Sequence, residues 1–188
     1  MGRHDESIAQ AKRAQELDPL SIIINNDLGQ VLYYARQYDQ AIEQLQKTLE
    51  LDPNFIVAHF FLASLYAQKA MYDEALAEVQ KAMDLSAGDD SLILAQLGTI
   101  YSHSGRRDEA RKVLDELHQL SKQRYVSPFY MALISMGLGQ KDQAFEWLGK
   151  AYKERDHWLE TLKVHPWLDS LRSDPRFIEL LKKMGLEK

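Results

Sequence analysis

Six histidines, His4, His59, His103, His118, His157 and His165, are the side chains of this sequence best suited to holding a metal or moving a proton. They form neither the H-E-x-x-H pattern of a zinc helix nor a mixed His/Cys ligand set. The chain has no cysteine, which removes thiolate ligands, disulfides and a cysteine nucleophile together. Carboxylates are abundant, but Glu43, Glu50, Glu74 and Glu78 fall on helix-patterned faces beside lysine or glutamine and read as solvated surface. "GLGQ" at 137–140 belongs to no phosphate loop, and neither G-x-S-x-G nor a dinucleotide fingerprint is present, so the stretch reads as a turn. His59 sits at a core-like position, and His157 and His165 lie beside Trp158 and Trp167, where packing explains them. The reading is a non-enzyme with no cofactor and no metal.

The helices that position these residues recur. The small residues Ser7, Ala41, Ala75, Ala110 and Ala144 are 34, 34, 35 and 34 positions apart. Each closes a related tetrapeptide, "HDES", "YDQA", "YDEA", "RDEA" and "KDQA", whose aspartate is expected to cap a helix start. "LDP" ends a unit at Leu17–Pro19 and again at Leu51–Pro53, where proline stops a helix. A second set, Leu28-Gly29, Leu62-Ala63, Leu97-Gly98 and Met131-Ala132, puts a tiny residue where two helices cross, with Leu32, Tyr66, Tyr101 and Ser135 one turn on. Helices are predicted at 4–17, 22–36, 39–52, 55–69, 72–85, 89–104, 107–121, 125–138 and 141–153.

These residues and their period of about 34 resemble the tetratricopeptide repeat, matching its L-G-x2-Y, small-residue and proline signature in order over roughly residues 1–153. The tryptophan of that motif is replaced by Asn25, His59, Leu94 and Pro128. The resemblance implies an all-α, right-handed superhelical solenoid of antiparallel helix pairs: a half repeat at 1–21, repeats at about 22–55, 56–90, 91–124 and 125–153, and a helical cap at 154–188. In the cap, Pro166 and Pro175 read as first-turn prolines, Asp174 as an N-cap and Gly185 as a stop, with Phe177, Leu180, Leu181 and Met184 on one face.

In such a solenoid the first helix of each pair lines a concave groove. The residues expected to point into it are Asn26, Gln30, Tyr33, Tyr34, Phe60, Ser64, Gln68, Ala95, Thr99, His103, Phe129 and Leu133. That mixture of aromatics, amides and hydroxyls suits an extended peptide or a helix, so the expected partner is a protein or peptide. Phe60, Tyr34 and Phe129 could equally pack between repeats. Family members that hold an acidic peptide terminus use Lys, Arg and Asn on this surface; Asn26 is compatible, but the basic partners are missing.

A net charge of −5 opposes nucleic-acid binding, including RNA binding by helical repeats of similar period. The longest apolar stretch, 55–67, is shorter than the about 20 residues of a bilayer span, and "MGRHDES" is no signal peptide, so a cytoplasmic protein without a membrane partner is expected. The pattern begins in mid-unit, as if the chain were a fragment of a longer protein. "LDSLRSDPRF" is similar to tails that follow repeat arrays in bacterial multidomain regulators, where the arrays accompany winged-helix transcription regulators, cyclases or kinases. The alternative function is therefore a regulatory or oligomerisation domain that self-associates through its first helix or its cap.

Overall fold

The computed structural model describes residues 3–86 and 91–186. The predicted start at 89–90 lies outside the described residues. The chain divides into two compact units, Met1–Asp89 and Asp90–Lys188. Unit 1 contains α1 (His4–Leu17), α2 (Ile22–Tyr34), α3 (Tyr38–Leu51), α4 (Ile56–Gln68) and α5 (Tyr72–Leu85). Unit 2 contains α6 (Ser91–His103), α7 (Arg107–Leu120), α8 (Pro128–Gly137), α9 (Lys141–Glu154), two 3₁₀ turns at His157–Thr161 and Pro166–Leu171, and α10 (Pro175–Lys183). Among the described residues there is no strand.

Within unit 1 each helix packs on the next, and α2 also packs on α4; within unit 2 α6 packs on α7 and α8, and α9 on α8 and α10. The small residues set this approach. Ala41, Ala75, Ala110 and Ala144 are fully buried. A Cβ on Gly29 would fall 2.5 Å from Leu45, and one on Gly98 would fall 2.7 Å from both Ile134 and Val113, so the crossings have no room for a methyl group. Ser7, the first of the series, is exposed.

The hairpins reverse by one device. Arg36, Ala70, Gly105 and Gly139 each take a left-handed φ, of 63°, 58°, 82° and 76°. The amide after each donates back across the turn, from Gln37 to Leu32, Met71 to Tyr66, Arg106 to Tyr101 and Gln140 to Ser135, at 2.9–3.0 Å. This is the Schellman closure of a helix C-terminus, favoured by glycine because it has no Cβ to clash. The expected aspartate caps are corrected here. The N-cap positions of α1, α3, α5, α7 and α9 are Arg3, Gln37, Met71, Arg106 and Gln140, none with a capping side-chain hydrogen bond. Asp5, Asp39, Asp73, Asp108 and Asp142 lie inside the first turn, where they oppose the positive end of the helix dipole without capping it.

The predicted helix at 125–138 is shorter, starting at Pro128, because proline pre-sets the first turn and disfavours helical geometry before it. In the cap, Pro166 and Pro175 do open their turns, the Asp174 carboxylate accepts the Arg176 amide at 2.9 Å, and Gly185 ends α10 with φ 70°. Phe177 is fully buried and Leu180 nearly so, which places the apolar face of α10 inward.

Candidate binding surface

In unit 1 the expected groove positions divide by depth. Asn26, Tyr33, Phe60 and Ser64 are buried, whereas Gln30, Tyr34 and Gln68 are partly exposed. The aromatics form a packed cluster: Phe61 meets Tyr33 edge-on at 5.9 Å, Tyr34 at 6.4 Å and Phe60 at 5.5 Å. Burial pushes the Tyr33 hydroxyl well above its usual range, while its hydrogen bond with Ser64 acts the other way. Phe60 at 6% exposure and Tyr33 at 1% are held in the core, leaving Tyr34 as the aromatic of the set with surface to offer. Beside the amides, Gln68 Oε1 accepts from the Tyr38 hydroxyl at 3.4 Å, and Gln68 Nε2 and Asn26 Oδ1 are shielded from solvent with no hydrogen-bond partner.

In unit 2, Ala95, Thr99, Phe129 and Leu133 are buried, with Phe129 wholly enclosed, and His103 is partly exposed. Burial of a side chain of that size is worth about 2–3 kcal/mol to folding, which accounts for Phe129 without a ligand. His103 Nδ1 donates to the Thr99 carbonyl at 2.9 Å, and its ring lies 4.0 Å from that of Trp167 in the cap. Burial lowers its imidazole below the ordinary histidine value, against the upward pull of the Thr99 carbonyl.

Unit 2 also contains a hollow of about 190 Å³ lined by Leu92 and Ala95 of α6, Tyr130 of α8, Tyr125, and Trp158 of the first 3₁₀ turn. Tyr130 and Trp158 meet edge to face at 5.2 Å. Behind the hollow the buried Asp156 carboxylate accepts the Ser127 hydroxyl at 2.6 Å, the Phe129 amide at 3.1 Å and the Trp158 amide at 3.0 Å, pinning the start of α8 to the cap. Burial and the Asp156 charge push the Tyr125 hydroxyl up to about 12. Tyr125, Tyr130 and Trp158 were not among the positions expected to face a partner, although Tyr130 directly follows one of them, Phe129, and only Trp158 is distant in sequence from the set. The signal for Trp158 was the aspartate before "HW", an N-cap that fixes the tryptophan.

The largest departure from the sequence reading is Glu78. It is buried at 9% exposure, and its Oε2 lies 2.6 Å from Nδ1 of the buried His59. His59 Nε2 lies 3.0 Å from the Pro53 carbonyl, and Lys81 donates to the other Glu78 oxygen at 2.8 Å. Both ring nitrogens thus face acceptors, so the two bonds together need either two protons on the ring or one on each partner. The preceding repeat builds the same pin from amides: Asn25 Nδ2 donates to the Pro19 carbonyl at 2.9 Å and Gln44 Nε2 to Asn25 Oδ1 at 2.8 Å, joined by Gln15 at 2.7 Å. Asn25 and His59 are 34 residues apart, as are Gln44 and Glu78 and the two prolines. That polar-for-polar exchange at a fixed interval was the signal that Glu78 faces inward.

Among the described residues there is no group of three or more metal-ligating side chains, and no helix is long and apolar enough to cross a membrane.

Comparison with known proteins matches residues 26–90 and 93–124 to the Tetratricopeptide repeat family, together more than half of the chain. No curated protein matches significantly. Among solved structures, the chain is similar to TTC0263, a thermophilic tetratricopeptide repeat protein of Thermus thermophilus, with TM-score 0.66 and 19% identity over 96% of this chain and 92% of that one. It is similar to MamA with TM-score 0.55 and 22% identity over 85% and 92% of the two chains. It is also similar to YrrB, described as a tetratricopeptide repeat protein with an unusual peptide-binding site, with TM-score 0.52 and 20% identity over 92% and 89%. At these identities the likeness establishes the fold.

Proposed function

The chain is a tetratricopeptide repeat protein, and from that premise we propose that it is a non-catalytic scaffold that binds a peptide or an extended segment of a partner protein along the first helices of its repeats. Repeat proteins of this family bind proteins and are generally not catalysts. The observation that carries the finer reading is the hollow in unit 2, where Ala95 and Tyr130, from the first helices of successive repeats, wall a space fit for one large apolar side chain beside Trp158. In unit 1 the partly exposed Gln30, Tyr34 and Gln68 offer amides and one aromatic face to a peptide backbone. The buried members of the expected set, Asn26, Tyr33, Phe60, Ser64, Thr99, Phe129 and Leu133, hold the helices that present these groups.

The test is selection of peptides from a displayed library on the immobilised chain, followed by anisotropy titration of a selected peptide. Ala95→Leu, which fills the hollow, and Tyr34→Ala with Gln68→Ala should each weaken binding about tenfold. Unchanged affinity in both variants rejects this surface. A second reading, a regulatory domain acting through self-association, draws on Ile178 of α10 and Tyr152 of α9, which are 51% and 40% exposed. A dimer whose population rises with concentration and falls in Ile178→Ser would favour it.

A further inference from the structure

Exposed large apolar side chains are gathered at one edge of unit 1. Leu17, Leu51 and Leu85, the last residues of α1, α3 and α5, are 73%, 40% and 37% exposed and lie 34 residues apart. Leu20 follows at 73%, and Ile23 and Val57, also 34 apart in the first turns of α2 and α4, are 58% and 40% exposed. Because successive helices are antiparallel, all six lie at the same end of the helix stack. Six of the nine exposed large hydrophobics of the described residues belong to this edge, so the exposure is not scattered.

The edge is also acidic, and repeatedly so. Leu17 stands between Glu16 and Asp18, Leu51 between Glu50 and Asp52, and Leu85 follows Asp84. The last turns of α1, α3 and α5 hold no basic residue, although the negative end of a helix dipole favours one there. In unit 2 the last turns of α7, α9 and α10 do carry basic side chains, His118, Lys153 and Lys182 with Lys183. The nearest cations of unit 1 are engaged by carboxylates: Arg13 with Glu16 at 2.9 Å, Lys47 with Glu43 at 2.7 Å and Lys81 with Glu78 at 2.8 Å. Three successive repeats thus set an apolar residue among negative charges, at helix ends that add negative potential of their own.

We propose that this edge is a second docking surface, separate from the groove, and that its occupant is a basic amphipathic segment of another protein whose apolar side chains cover Leu17, Leu51 and Leu85 while its lysines or arginines meet the flanking carboxylates. A second copy of the chain would bring acid against acid, and an anionic lipid surface carries the same sign as the edge. Lysine and arginine satisfy both features at once, since their stems cover apolar surface while their heads reach carboxylates.

The probe is a fluorescein-labelled helical peptide with leucines on one face and lysines on the other, titrated by anisotropy against the whole chain. Two control peptides keep one feature each: one has glutamate for every lysine, the other serine for every leucine. The lysine–leucine peptide should bind tightest, with an affinity that falls as salt rises. Leu17→Ser with Leu51→Ser and Leu85→Ser should weaken it about tenfold. Glu16→Gln with Glu50→Gln and Asp84→Asn should weaken it about fivefold and flatten the salt dependence. Circular dichroism melts check that the variants fold, and Leu17→Ser with Leu20→Ser, at the two most exposed sites, serves if the triple change does not. The Tyr34→Ala chain should bind the probe as the unaltered chain does, so this result and that for the groove stand or fall separately. Equal binding of the acidic peptide, or affinity within about twofold in the leucine variants, overturns the proposal. So does a dimer of the unaltered chain that vanishes on replacing Leu17 and Leu20, which would assign the edge to a second copy.

Discussion

Replacing His59 by leucine, or Glu78 by valine, removes one half of a buried pair that the next repeat does without: Leu94 and Val113 occupy the same two positions there. His59 is 4% exposed, and its bond to Glu78 spans 2.6 Å. Losing the imidazole leaves a buried carboxylate with Lys81 as its remaining charged partner, and such a half-broken pair costs about 3 kcal/mol, the low end of the range for buried ion pairs. Losing the carboxylate leaves Nδ1 facing apolar atoms while Nε2 still donates to Pro53, a penalty of about 2 kcal/mol. The double replacement orphans neither group, and apolar packing substitutes for the pair, so its cost should be about 2 kcal/mol and not the sum. The coupling is then about 3 kcal/mol, at the top of the range for residues in contact. Chemical unfolding followed by circular dichroism gives the four stabilities. Amide exchange along α4 and α5 shows whether the loss is local, as stacked repeats can open in parts. A double variant whose cost equals the two single costs within about 0.5 kcal/mol would refute the reasoning, because the side chains would then be acting independently.

The left-handed turns give a prediction of opposite signs at matched positions. Ala70→Gly should stabilise by about 0.5 kcal/mol, since relief of the Cβ clash exceeds the entropy glycine adds to the unfolded chain, and Gly105→Ala should destabilise by about 1 kcal/mol. Thermal melts that move in the same direction for both would contradict that account. At the cap, hydrogen bonds from the Arg176 side chain and amide and from Lys141 hold the Asp174 carboxyl well below the ordinary aspartate value of 3.8. A depressed folded-state value means a stabilisation fully present above the unfolded value and lost as pH falls through 3.8 toward the folded one. Melting temperatures of the unaltered chain and Asp174→Asn should therefore differ at about pH 6 and converge toward about pH 2, and a gap that stays constant would show the carboxylate to be without effect.

What could be read in advance was whatever depends on a residue being small, or on breaking a helix. Ala41, Ala75, Ala110 and Ala144 announce close helix crossings because a larger side chain could not be there, and proline and glycine mark ends because backbone geometry forces them to. What was hidden depends on direction. A glutamate on a helix faces water or the core according to a rotation of about one residue, so Glu78, judged alone, read as surface. Set beside Gln44 it reads differently: two polar residues at one repeat position, each matched with a polar residue at another, are held there by each other. The same logic separates the groove positions. Phe60 and Asn26 occupy one repeat position yet share no chemistry: Phe60 is buried among aromatic neighbours, whereas Asn26 is buried with an amide oxygen left unpartnered, a cost that its position in the repeat does not reveal. The edge leucines are the converse case. In "ELDP" the proline explains the turn and draws attention away from the leucine two places before it, yet Leu17 and Leu51, with Leu85 at the same interval, keep 73%, 40% and 37% of their surface exposed, an apolar exposure repeated at one edge.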